Sequence, residues 1–241
     1  MWDTSKDYRI LMAKKSKELY LRTIEVGSFR GHWNKKMAIE IAKNMDSDFQ
    51  SLLYSYLEGD DLVNSPDVQS LNEKCEKVIE FLGGKNWNKV FLDSTPKDDR
   101  DKTIENIDKV KFFIEIISGL KNRLALGPIN DPIVSIDIKV GEVMSVTKHP
   151  KTDNLMICNV NLGKKAITVV TNDLEVKEGN SVGVSILPPQ SFMGITSEGM
   201  FLGAGEGILK DVKGDLGGMP KGIPMESLNE TRNLIESFLK D

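Results

Sequence analysis

The sequence predicts a multidomain α and β protein: an N-terminal all-α helical bundle, a five-stranded β-barrel, and a C-terminal helix. Three observations carry this. Apolar residues recur every three to four positions through the first half. Gly127-Pro128-Ile129-Asn130-Asp131-Pro132 then interrupts the chain with two prolines and a glycine that cannot continue a helix. After that break the period falls to two, in short runs separated by Gly, Pro, Asn and Asp. The boundaries that follow are a bundle at 1–127, a linker at 128–132, a barrel domain at 133–223 and a helix at 224–241.

In the first half, Tyr8, Leu11, Met12, Leu19 and Ile24 form a helical stripe that Gly27 to Gly31 breaks. Met37, Ile41, Met45, Phe49, Leu52, Leu53 and Tyr56 share one face of a second helix, ended by Gly59-Asp60-Asp61. A third starts cleanly. Ser65 is a natural N-cap, Pro66 suits the first helical position, and Leu71, Cys75, Val78 and Leu82 make its stripe before Gly83. A looser segment holds Trp87, Val90, Phe91 and Leu92. Ile107, Val110, Ile114, Ile117 and Leu124 mark a fourth helix, with Asp98, Asp99 and Asp101 near its start and Lys121 and Arg123 near its end, the signs the helix dipole favours. Isolated helices of this length are marginal, so the four stripes are expected to pack on one another.

Residues 1–44 hold ten Lys or Arg against five Asp or Glu, with Tyr8, Tyr20, Phe29, His32 and Trp33 interleaved. Arg22, Arg30, Trp33, Lys35 and Lys36 form a candidate accessory face for RNA or a protein partner, since cations and stacking rings act together on both. An ordinary solvated helix face with core aromatics explains the same residues.

Composition narrows the classes. The net charge is −4, which argues against wholesale coating of nucleic acid but leaves room for a local basic patch. Cys75 and Cys158 lack Cys-x-x-Cys partners and are expected to be buried thiols in a reducing compartment. The two histidines, His32 and His149, belong to no ligand-spaced cluster, so no metal and no cofactor is expected. With no apolar run of about 18 residues, a cytoplasmic protein with no membrane partner is expected. No nucleophile–base pair stands out, so no catalytic residue is assigned and the chain is not expected to be an enzyme.

In the second half, Val134, Ile136, Ile138 and Val140 alternate with Ser135, Asp137 and Lys139 as a half-buried strand. Gly141 allows a bend or bulge before Val143 to Val146 continue it. Further strands are expected at 155–161, 166–171, 181–187 and 199–202. Five short strands in so few residues fit an OB-fold, which binds polymers with its middle strands and its 1–2 and 4–5 loops. Those loops are 147–154 here and the stretch Ile186 to Phe201, with Pro188-Pro189 read as a strand stop. The glycine-rich run 203–207 has no βαβ unit around it and reads as a turn. Ser227 and Glu230 form a capping box before an apolar stripe of Leu228, Ile235, Phe238 and Leu239.

Four motif pieces occur in order: Asp137-Ile138-Lys139-Val140-Gly141; Lys148-His149-Pro150 followed by Asp153-Asn154-Leu155; Thr168-Val169-Val170; and Ser197-Glu198-Gly199-Met200. With them, residues 133 to about 207 resemble the tRNA-binding OB domain appended to methionyl-tRNA synthetases. The same domain occurs in aminoacylation cofactors, in small free-standing bacterial tRNA-binding proteins and near the start of the bacterial phenylalanyl-tRNA synthetase beta chain. The helical half resembles no family in this reading.

The resemblance implies a non-catalytic tRNA-binding protein, an auxiliary to aminoacyl-tRNA synthetases that reads tRNA by shape and backbone. Lys139, Lys148 and Lys151 would contact phosphates, and Asn154, Ser191 and Ser197 would donate hydrogen bonds. Phe192 and Met193 would offer apolar surface, His149 would shape the loop, Glu198 would organise it by accepting backbone amides, and Met200 completes the motif. The implied partners are tRNA, an aminoacyl-tRNA synthetase through the helical domain, and a second copy in a homodimer. The family's Lys-Met-Arg segment is replaced here by Ser191-Phe192-Met193, and residues 133–223 hold nine Lys and no Arg against ten Asp or Glu. Phosphate contacts should therefore number only about 3–5. The alternative is a protein-interaction or chaperone-like module whose barrel has lost RNA, since Met and aromatics favour protein contacts.

Overall fold

The computed structural model describes residues 2–27, 29–205 and 207–240. The chain divides into two compact units, Met1–Ser135 and Ile136–Asp241.

The first unit is helical. Its α-helices are α1 (Tyr8–Val26), α2 (Lys35–Lys43), α3 (Asp46–Leu53), α4 (Gly59–Val63), α5 (Pro66–Phe81), α6 (Trp87–Asp93), α7 (Arg100–Ser118) and α8 (Leu120–Leu124). The Asp7 side chain caps α1 and Asn34 caps α2. The Ser65 hydroxyl accepts from the Val68 amide, with Pro66 in the first turn of α5 as the sequence indicates. The core holds Ile10, Met12, Tyr20, Phe49, Leu71, Val78 and Phe113, all fully buried. The rings of Tyr20 and Phe113 stack with centroids 4.4 Å apart. Arg9 and Asp7 are also buried; the guanidinium binds the Asp7 carboxylate and donates to the carbonyls of Arg123 (2.9 Å) and Gly127 (2.8 Å), tying α1 to the chain end past α8.

Three helical expectations change. The stripe from Met37 to Tyr56 is two helices, because at Met45 the amide bonds three residues back, to Ala42, and the chain turns before α3. Tyr56 has left the helix, with a φ of 52°, and is exposed. Gly59-Asp60-Asp61 does not merely end a run but begins α4. The fourth helix is interrupted at Gly119, where a Cβ would stand 2.5 Å from Arg123 Nη1; the buried guanidinium folds back to the Ile116 carbonyl.

The second unit is a five-stranded antiparallel sheet with a C-terminal helix. Its strands are β1 (Ile138–Lys148), β2 (Met156–Asn161), β3 (Ala166–Thr171), β4 (Ser181–Phe192) and β5 (Ile195–Phe201), in spatial order β3-β2-β1-β4-β5. Two short strands, β6 (Gly203–Ala204) and β7 (Gly207–Ile208), pair with each other, so the glycine-rich run lies in a small hairpin rather than a phosphate loop; Glu206 lies outside the described residues. The core under the sheet comprises Val143, Cys158, Val160, Val169, Val182, Val184 and Phe201. Helix α9 (Asn229–Lys240) buries Ile235 and Thr231, and the Thr231 hydroxyl pairs with that of Ser185 on β4 at 2.9 Å.

Strand detail also departs from expectation. Val134 and Ser135 sit in a 3-10 turn (Pro132–Ser135), which the Ser135 hydroxyl closes by donating to the Pro132 carbonyl, so β1 starts later than the alternation suggests. The bulge in β1 falls at Met144, between Val143 and Ser145. Gly141 serves packing, since a Cβ there would lie 2.5 Å from Val160 Cγ1. The predicted 4–5 loop is a long hairpin. Pro188 and Pro189 do not end β4; they occupy a register shift between Ile186 and Gln190, where no ladder amide is needed. The strands join at Met193-Gly194, with φ of 50° and 101°, the signs of a two-residue type I′ turn. Ser227 is buried and its hydroxyl finds no partner, so the expected capping box does not form.

Candidate RNA-binding face

The edge strands β3 and β5 meet, and side chains join them. Ser197 Oγ accepts from the Val170 amide (2.9 Å) and donates to the Gly199 carbonyl (2.9 Å). The Glu198 carboxylate accepts from the Thr168 amide (2.9 Å). The Ser-Glu-Gly-Met segment thus supplies acceptors to edge amides that a sheet would otherwise leave bare. Ser197 is buried, with its hydroxyl engaged in both directions.

At one end of the sheet the β1–β2 loop is bound to the β4–β5 hairpin. His149 is buried. Its Nδ1 accepts from the Lys151 amide at 3.1 Å, so the ring proton is on Nε2, which donates to the Phe192 carbonyl at 3.0 Å. Lys151 Nζ donates to the Met193 carbonyl at 2.8 Å. These bonds gather Lys148, Lys151, Asn154, Ser191, Phe192 and Met193 around one end; all are exposed except Phe192, which is half-buried. Lys148 faces Asp153 at 3.9 Å in solvent, a weak pair. Lys139 is not brought to this cluster. It lies at the opposite end of β1, beside Asp137 at 3.6 Å.

Sequence reading missed a row across three strands. Ser145 pairs with Asn159, and Asn159 with Thr168. Asn159 is exposed between the buried Cys158 and Val160. The period-two alternation of β2 marks it as outward-facing, and that was the available signal.

Beside the hairpin lies a groove of about 670 Å³ between β3, β5, the β6–β7 hairpin and α9. Leu155, Phe192, Met200, Leu234 and Phe238 give it apolar walls, and among the described residues Asp173 and Glu230 are its charged ones. Asp173 accepts from the amides of Glu175 (2.8 Å) and Ile208 (3.0 Å). Partial burial opposes its charge, but those amides, with Lys210 nearby, outweigh it and hold the carboxyl below the ordinary carboxylate value.

In the helical unit, Arg22, Arg30, Lys35 and Lys36 are exposed. Arg30 pairs with Asp99 at 3.3 Å and Lys35 donates to the Glu25 carbonyl. Trp33 packs against Phe29 and Phe91. Both cysteines are free and buried; burial, helped by Glu76 and Asp173 respectively, pushes the Cys75 thiol up to about 12 and that of Cys158 up to about 11. Among the described residues no group of three or more His, Cys, Asp or Glu could hold a metal ion, and no helix is long and apolar enough to cross a membrane.

A helical unit is thus followed by a small antiparallel sheet with a lysine-bearing loop bound to an uncharged hairpin tip at one end. Family comparison makes this particular. The chain belongs to the family described as "Alpha helical domain", which matches residues 1–127, and residues 138–226 match the "Putative tRNA binding domain", a binding module. Similar curated proteins include the phenylalanine–tRNA ligase beta subunit of Thermotoga maritima, 32% identical over 47% of this chain and 14% of that protein. Cytoplasmic tyrosine–tRNA ligase of Xenopus tropicalis is 27% identical over 69% of this chain and 31% of its own length. Methionine–tRNA ligase of Nanoarchaeum equitans is 37% identical over 30% and 10%. The chain thus spans less than a third of each of these relatives. A solved C-terminal domain of Plasmodium vivax p43 is 25% identical, with a TM-score of 0.30, covering 38% of this chain and 64% of that one.

Proposed function

We propose that the chain is a non-catalytic tRNA-binding protein, an auxiliary to aminoacyl-tRNA synthetases, that grips tRNA by shape and backbone with an OB barrel. The sheet order, with β3 meeting β5, supports the OB reading. The observation that carries the function is the bonding of the β1–β2 loop to the hairpin through His149 and Lys151, which presents two lysines and a half-exposed aromatic together. Lys148 and Lys151 meet phosphates, Asn154 and Ser191 hydrogen-bond to the sugar-phosphate backbone, and Phe192 and Met193 cover a ribose or base. His149, Ser197 and Glu198 hold these groups in place, Met200 adds apolar surface, and Lys139 makes a separate contact. Arg22, Arg30, Trp33, Lys35 and Lys36 give the helical unit its own contact with RNA or with a synthetase. On this reading the protein works in the cytoplasm, and a homodimer is its expected assembly.

Titrating total tRNA against salt tests this. Saturable binding at about 50 mM salt, weakening with a log–log slope of about −2 to −4.5, is expected from 3–5 phosphate contacts. Absence of saturable binding overturns it. One observation favours a second reading, a protein-interaction module: Met193 is 47% exposed at the hairpin tip where the family carries cations. Recovery of protein partners that survive ribonuclease treatment would favour that reading.

A further inference from the structure

We propose that the groove between α9 and the β4–β5 hairpin receives an unpaired base of the bound RNA and leaves its phosphates outside. This rests on the tRNA-binding reading and deepens it. The groove is continuous with the loop face, since Phe192 belongs to both. Among the described residues no Lys or Arg lines it, and the two charged ones that do, Asp173 and Glu230, are acids that repel phosphate. Its volume of about 670 Å³ suits a small planar group rather than a helix of RNA. Phe192, Met200, Leu155 and Phe238 offer apolar surface for a ring. Gly203, Gly205 and Gly207 present backbone without side chains, which lets a flat group approach closely. Asn172 and Gln190, both exposed, bring amide groups that can pair with the polar edge of a base. An unstacked base held this way reads single-stranded regions in preference to duplex.

The test compares tRNA with a fully paired RNA duplex of similar length, for the wild-type full chain and for S237W. Ser237 is an exposed position of α9 on the groove wall, away from the buried Thr231 and Ile235, so the indole fills the groove without disturbing the helix's packing. Coincident thermal unfolding of the two proteins checks this. S237W should weaken tRNA binding by about 5- to 150-fold, the worth of one stacked base. Its salt slope should stay unchanged, as should its affinity for the duplex. A second variant, E230K, distinguishes base from phosphate: with a base in the groove its slope stays that of the wild type, whereas a slope steeper by about 0.7 signals phosphate there and overturns the proposal. Wild-type tRNA binding with S237W unchanged overturns the groove assignment alone. Failure of the wild type to bind tRNA overturns the reading of the whole site.

Discussion

His149 Nε2 donates to the main-chain carbonyl of Phe192, 3.0 Å away and 43 residues later. The other ring nitrogen accepts from the Lys151 amide. One buried neutral imidazole therefore ties the β1–β2 loop to the β4–β5 hairpin, beside the Lys151 bond to the Met193 carbonyl. His149→Ala leaves the Lys151 amide without its acceptor and the Phe192 carbonyl without its donor, and should cost about 1–3 kcal/mol. Urea unfolding followed by Trp-independent far-UV dichroism measures the loss. Because no phosphate contact is deleted, tRNA binding should weaken while its salt slope stays the same.

Ser197 is the join between β3 and β5. Ser197→Ala strips the acceptor from the buried Val170 amide, a loss expected at about 1–3 kcal/mol. Val170 should exchange its amide proton much faster in the variant. Unchanged exchange at Val170 would mean that the join is not held by this hydroxyl.

The lowered carboxyl of Asp173 gives a pH signature. Its folded value lies below the unfolded one, so its contribution to stability is present above the ordinary carboxylate value of about 3.9 and is lost as pH falls through the folded value. Asp173→Asn should destabilise the second unit at pH 7 and do so progressively less below about pH 4. Thermal unfolding of both proteins across that range provides the comparison.

Much of the fold was readable from local signals. Ser65-Pro66 fixed a helix start, and the run from Gly127 to Pro132 marked the change of period. The failures share a cause: distant contacts overruled local pattern. Pro188-Pro189 reads as a stop, yet β4 passes through it because a register shift leaves those positions without ladder bonds. The fourth helix breaks at Gly119, beside the buried Arg123, where the sequence showed only a basic residue suited to a helix end. In the candidate site, the placement of Lys148, His149 and Lys151 in one loop followed from a family motif, whereas Ser191-Phe192-Met193 depart from it and Lys139 lies apart. Glu198 accepts a backbone amide as expected, though that of Thr168 on β3, 30 residues away; Ser197, expected to donate to RNA, is instead buried and serves the β3 edge 27 residues away, which no local pattern marks. The groove was invisible for the same reason, because its walls come from five separate stretches of chain.

The central claim is that Lys148 and Lys151 meet RNA phosphates, and the salt dependence of tRNA binding by the Lys148→Ala/Lys151→Ala protein tests it most directly. Each lost contact removes about 0.7–0.9 from the slope of log K against log salt. The account predicts a slope shallower by about 1.4–1.8 with only a small fall in the thermal midpoint, since both side chains are exposed and the one bond lost is that of Lys151 to the Met193 carbonyl. A double variant that binds tRNA with the wild-type slope would contradict it.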